Sequence, residues 1–232
     1  MNKEEILKEF TKYAPTQWNV VGKKCDKLYN KAKILYRKNK EPVWVGDWEI
    51  NYNGTTYHSS TMINFPLGTR TKTQYYSMLI NTYTLLVLPG SGKKIALYIN
   101  PGTEGSSANV ISYGSHFLQR FWERWKGESR EGVSIEELAR YYFKERTSAS
   151  TFYIFRELHY KDYPGPMVIS RHLKGMELGW LDEDAGGIYR INTFITEDMF
   201  KEGQEELYGK DSDVLKTVKE NMEFIKTMAP MT

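Results

Sequence analysis

Cysteine is almost missing: Cys25 stands alone among 232 residues. One thiol excludes an internal disulfide, and it suits a reducing, intracellular compartment. Long apolar runs are missing too, with none near the ~18 residues that a membrane span needs. The opening Met1-Asn2-Lys3-Glu4-Glu5 leads into a charged helix and not into the apolar core of a signal peptide. A cytoplasmic protein with no membrane partner is the expectation. Histidine is scarce, and His58, His159 and His172 have no metal-ligand spacing to one another or to Cys25. Neither metal nor cofactor is expected. Gly90-Ser91-Gly92-Lys93-Lys94 lacks the spacing of a phosphate-binding loop and reads as a hairpin turn. Asp182-Glu183-Asp184 lacks the distant glutamate of a calcium loop. There is no Gly-x-Ser-x-Gly and no catalytic cysteine setting.

Net charge is also small, +3 overall, which is too little to announce a nucleic-acid binder. Its distribution is uneven. Residues 1–40 hold eleven Lys/Arg against four Asp/Glu, whereas residues 197–232 hold five against nine. That asymmetry suits an electrostatic footprint for an anionic partner, and it equally suits two helical faces kept in water.

What the chain has in quantity is aromatic side chains: seventeen tyrosines, ten phenylalanines and six tryptophans. With 40% apolar residues, this composition excludes disorder and supplies a substantial core. The periodicity predicts a helical pair at the start. Ile6, Leu7, Phe10 and Tyr13 give a helix over 3–13 that stops at Pro15. A second helix covers 21–39, apolar through Cys25, Leu28, Tyr29, Ala32 and Leu35. Its other side carries Lys23, Lys24, Lys27 and Lys31, which could track a phosphate backbone or simply be solvated.

Strands follow. Residues 43–45 and 48–52 lead to Asn53-Gly54 and return over 55–58, the strongest short-range hairpin signal. Residues 65–73 read as a loop. A second hairpin joins 83–88 to 95–99, both nearly continuous in apolar residues, as expected of strands covered on both faces. The polar stretch 100–107 is the best boundary between an N-terminal region, 1–107, and a C-terminal one, 108–232, unless the two form one continuous domain. In the second region a short strand delivers a helix over 115–125. Ser134 caps another helix, with Glu137 completing a capping box. Strands at 151–155, 166–171, 175–181 and 188–195 come next, and helices at 197–208 and 212–228 close the chain. The fold class is α+β, an antiparallel sheet with helices packed on it.

The helix over 115–125 is the best site candidate. On an α-helical wheel Arg120 and Arg124 lie roughly 40° and 80° from His116, while Phe117, Leu118, Phe121, Trp122 and Trp125 fill the adjoining arc. The basic stripe therefore borders a buried face. Arginines there suit a bidentate grip on phosphate, and a histidine near neutral pKa suits proton transfer. The alternative is a wet stripe paired with Glu123 or Glu128. Strict alternation on the last strand puts Tyr189, Ile191, Thr193 and Ile195 on one face, and Arg190 and Asn192 on the other.

This order of strand, His-x3-Arg-x3-Arg helix, second helix and late strand Gly187–Ile195 resembles the barnase–RelE-like superfamily of metal-independent ribonucleases, over about residues 110–196. The resemblance implies a site made of His116, Arg120, Arg124 and Thr193, and RNA cleavage by a toxin- or phage-type protein without a cofactor. A long insert at 144–180 and the unmatched first 107 residues depart from it. A different class of function fits the composition as well: a non-enzymatic phage or mobile-element protein that binds a host protein or a cognate inhibitor, through its aromatic surface.

Overall fold

The computed structural model describes residues 2–39, 43–64, 77–88, 92–100, 108–145, 151–155, 163–172 and 175–201, together with 213, 215, 216, 219 and 220. The expected loop 65–73 lies outside these residues, as does most of the span from 202 onward.

A single helix, α1 (Lys3–Asn39), replaces the expected pair. Pro15 lies inside it. A proline there removes one backbone hydrogen bond and crowds the carbonyl four residues back, which ordinarily kinks or ends a helix. Here tertiary packing overrides it. Ile6, Phe10, Tyr13, Gln17, Val21, Cys25 and Ala32 are all buried, a stripe that runs at steps of three, four and seven straight past the proline. Tyr13 stacks on Tyr57 with ring centroids 3.9 Å apart, and the Gln17 amide donates to Ser59 Oγ at 2.9 Å, so both neighbouring turns are fixed to the sheet.

Nine strands form one sheet: β1 (Val43–Tyr52), β2 (Thr55–Asn64), β3 (Ser77–Val87), β4 (Lys94–Asn100), β5 (Asn109–Gly114), β6 (Thr151–Phe155), β7 (Met167–His172), β8 (Gly175–Asp182) and β9 (Ile188–Thr196). Their order is β1-β2-β3-β4-β5-β9-β8-β7-β6. The first five make an antiparallel meander and the last four another. The two are joined where β5 runs parallel to β9, Ile111 opposite Tyr189 and Tyr113 opposite Ile191. The expected boundary at 107 therefore falls between β4 and β5, which are hydrogen-bonded neighbours from Asn100↔Asn109 to Ile95↔Gly114.

The Asn53-Gly54 turn forms as its chemistry requires. Both residues take positive φ, 49° and 77°, and Tyr52 pairs directly with Thr55. A bulge at Val45, between Trp44↔Met62 and Gly46↔Thr61, is absorbed within β1, so its two expected pieces are one strand. Pleating then divides the core. Leu97 and Ile99 of β4 face α1, with Ile50, Tyr57 and Val110; Ala96 and Tyr98 face the other way. That other face is covered by α2 (Ser115–Phe121) and α3 (Ile135–Glu145), which supply Phe117, Leu118, Phe121, Leu138, Tyr142 and Phe143. Ser134 Oγ accepts from the Glu137 N–H at 3.2 Å, so α3 has its expected cap.

Three further departures matter. The α-helix at 115 ends at Phe121, and Trp122–Lys126 continue as one π turn, closed by Gly127 at φ 75°. The helix expected over 197–208 begins instead with a 3-10 turn, Glu197–Met199, followed by an extended Phe200, and its residues 202–208 lie outside the described ones. Most importantly, β9 is not evenly pleated. Leu178 pairs with Thr193 and Gly179 with Ile191, so Asn192 is bulged out. Ile191 and Phe194 consequently share the α2 face, while Ile195 packs with Met167, Ile169 and Met176 on the reverse. Thr193 alternates with Phe194 and shares the reverse face, away from α2.

If the helix is continuous, removing its proline helps it. Pro15→Ala should raise unfolding stability by about 2 kcal/mol in a urea titration with unchanged slope. A loss, or no change, would mean that the chain breaks at residue 15.

Candidate functional site

The helix α2 springs from the end of β5 with no loop between them: Gly114 is both the last residue of the strand and the helix N-cap. Aromatic packing fixes its roll. Phe121 meets Phe194 edge-on at 5.0 Å and Tyr142 at 4.9 Å, and Trp125 stacks on Phe121 at 5.2 Å. With those rings inward, the basic side chains must lie along the outer border of the layer. His116 is exposed there, and Arg120 and Arg124 are half-buried.

The members of the predicted stripe do different things. Arg120 Nε donates to His116 Nε2 over a long 3.4 Å, which makes that ring nitrogen an acceptor. Arg124 turns inward, and its Nη1 donates to the backbone carbonyl of Phe194. That carbonyl lies beyond Tyr113↔Ile191, the last β5–β9 pair, so Arg124 caps a stretch of β9 that β5 no longer covers. Thr193 is absent from this border because of the Asn192 bulge. Arg190 points to the same reverse face and forms a forked pair with Asp182 Oδ2, at 3.0 and 2.8 Å.

A residue missed in the sequence enters instead. Arg130, in the loop after the π turn, donates to Gln119 Oε1 and pairs with Glu123 Oε1 at 3.2 Å. Three guanidiniums thus gather on one border, answered by Glu123 and, at Arg124, by Asp198. Burial lowers the His116 pKa from the ordinary value, and repulsion from Arg120, Arg130 and Arg124 lowers it further, against a weaker pull from Glu123. The downward shift favours the neutral imidazole, the form able to accept a proton. Burial is likewise the first cause that lowers Arg124. Arg130 has no spacing signal, because loop geometry brings it back to the helix.

Lys23, Lys24, Lys27 and Lys31 are exposed on α1, and Lys24 stands 5.5 Å over the Trp48 ring of β1. They lie on the opposite side of the sheet from α2, at its β1 end. Four strand spacings, roughly 19 Å, separate β1 from β5. The structure does not join the lysine face to His116 as one surface.

Two other ionisable groups were not anticipated. Glu49 and His58 are cross-strand partners with Nδ1 and Oε1 3.7 Å apart, Arg140 of α3 reaches the same oxygen at 3.0 Å, and His58 stacks on Tyr83 at 4.9 Å. Burial lowers His58, and Glu49 opposes it. The two-residue turn at 53–54 fixes this pairing by counting back from it, so a signal was there. Beneath α3, Glu177 accepts from the Tyr142 hydroxyl and lies 2.7 Å from His172 Nε2, with all three side chains closed off from solvent. Ser170 Oγ is 3.5 Å from the same His172 nitrogen. A serine, a histidine and a carboxylate on one ring nitrogen do not make a relay, which needs both nitrogens. This group is part of the core.

Among the described residues no three His, Cys, Asp or Glu side chains are placed to hold a metal ion, and no helix is long and apolar enough to cross a membrane. No family model, no curated protein and no solved structure matches this chain.

The electrostatics can be read directly. By NMR, the His116 ring should titrate below the ~6.5 of a free histidine, and Arg120→Gln should move its midpoint upward. An unmoved midpoint would remove Arg120 from its surroundings.

Proposed function

We propose that the chain is a metal-independent ribonuclease of the toxin or phage-accessory kind, acting at the α2 border. The observation that supports this most is a solvent-facing imidazole beside three guanidiniums that lower its pKa. Neutral His116 takes the proton of an RNA 2′-hydroxyl, and the freed oxygen attacks the adjacent phosphorus. Arg120 and Arg130 neutralise the equatorial oxygens of the phosphorane, where a planar fork fits best. The 5′-oxygen leaves with a proton from solvent, and a 2′,3′-cyclic phosphate remains. No step uses a metal or a cofactor. Arg124 holds the Phe194 carbonyl and supplies field without contact. Thr193 has no part, which narrows the site that the family resemblance implies. The lysines of α1 would contribute only to salt-sensitive binding of longer RNA.

A second reading has its own support. Trp18 is 62% exposed and Val87 60% exposed, large apolar side chains left in water as on a binder of a host or inhibitor protein. It predicts an RNA-inert chain.

The test uses labelled RNA at low salt with EDTA present. Wild type should cut RNA and leave DNA of the same sequence intact. His116→Ala should lower the rate about 100-fold or more, with an unchanged melting temperature because the side chain is exposed. An intact RNA substrate, or a His116→Ala variant as fast as wild type, refutes the assignment.

A further inference from the structure

On the other side of the sheet the first two turns of α1 do not close tightly against the strands. A cavity of about 180 Å³ is left between them, half open to solvent. Its floor is largely apolar, Leu97 and Ile99 of β4, Tyr57 of β2 and Leu86 of β3, with Thr55 and Thr84 also in the lining. Its rim is not. Glu5 and Glu9, one helical turn apart on α1, both line it. Both carboxylates are exposed, and neither is used by the core. Glu5 Oε2 accepts from the Asn2 N–H at 3.2 Å, and Glu9 Oε1 pairs with Lys12 at 2.6 Å. Each of these contacts uses a single oxygen of its carboxylate. Among the described residues Lys12 is the one cation paired with these two carboxylates, so the rim keeps a negative surplus.

We infer that this cleft is a binding site for a small organic monocation, an amine carrying a single ring or a short alkyl body. Three features of the cleft select that class. Volume limits the body: an engineered apolar cavity of about 150 Å³ holds one benzene ring. The floor favours an apolar body, because Leu97, Ile99 and Leu86 offer no hydrogen-bond partner and the Thr84 hydroxyl already donates to the Thr56 carbonyl at 2.8 Å, and burying an unpaired polar atom is costly. The rim selects the charge. Seated on the floor, an aromatic or alkyl body directs its ammonium outward toward Glu5 and Glu9, where the charge stays partly hydrated. The phenol of Tyr57 is raised by burial first and by Glu9 second, which places Glu9 within electrostatic reach of the floor.

This site is independent of the ribonuclease reading. It uses the α1 face, whereas His116 uses the α2 face, and neither set of residues contributes to the other.

Isothermal titration of the full chain with benzylammonium, benzyl alcohol and benzoate tests it. Benzylammonium should bind with a dissociation constant on the order of 1 mM, at least ~5-fold more tightly than benzyl alcohol, with benzoate weaker than both. The surface variant Glu5→Gln/Glu9→Gln should fold like wild type and bring benzylammonium and benzyl alcohol to equal affinity. Filling the cleft with Leu86→Trp should abolish both; proton chemical-shift changes at Tyr57 and Leu97 in wild type report the same seat without any substitution. No binding of benzylammonium at about 10 mM, equal binding of benzoate, or a preference that survives the double glutamine variant overturns the proposal. None of these outcomes bears on RNA cleavage, and loss of RNA cleavage in His116→Ala leaves this binding intact.

Discussion

The whole architecture hangs on a short parallel join. Two antiparallel meanders, β1 to β5 and β6 to β9, become one sheet only because β5 and β9 lie side by side over Ile111–Tyr113 and Tyr189–Ile191. Antiparallel neighbours can be linked by tight turns, but a parallel pair needs a crossover. The chain spends residues 115–145 on it, and this crossover is α2, the π turn and α3. After α3 the chain emerges at the far edge as β6 and works back inward, so that β9 arrives last beside β5. The candidate site is thus built on the crossover, at the seam between the two halves. Covering the seam also explains the aromatic density: Phe117, Phe121, Tyr142 and Phe194 must fill the space over both meanders at once.

Much of this was legible because local chemistry and tertiary structure agree. The Asn53-Gly54 hairpin, the Ser134 cap and the β6–β9 strands are local signals that nothing overrides. The continuous apolar character of β4 correctly announced a strand with both faces covered, since α1 sits on one side and α3 on the other. Pro15 misled for the opposite reason. A rule about local hydrogen bonding predicts a stop, but the cost of about 3 kcal/mol is outweighed by the buried stripe from Ile6 to Ala32, which only a continuous helix can present.

The site was legible in part. The border position of His116 and Arg120 follows from a helical wheel and survives. Arg124 and Thr193 do not keep the places that strict periodicity assigns, because both periods are interrupted. A π turn starts at Trp122, and a bulge removes Asn192 from the pleat. Neither interruption has a sequence signature of its own. Gly179 comes nearest to one: a Cβ there would meet the Arg190 carbonyl oxygen at 2.0 Å, so the bulged strand comes close enough to its partner that only glycine fits.

The two interruptions are connected through the open end of the seam. Beyond Ile191, β9 continues to Thr196 while β5 has already turned into α2, so β9 carbonyls on that side have lost their strand partner. A buried carbonyl without a donor costs about 1–3 kcal/mol. The bulge rotates Phe194 so that its ring enters the α2 layer and its carbonyl meets Arg124, and the π turn carries the Arg124 side chain to it. One guanidinium of the three is therefore committed to holding the fold. Arg120 and Arg130 stay on the outer border, and Arg124 acts there at a distance, by helping to lower the His116 pKa. The seam that makes the sheet possible thus also places the guanidiniums that lower the pKa of the histidine on its border.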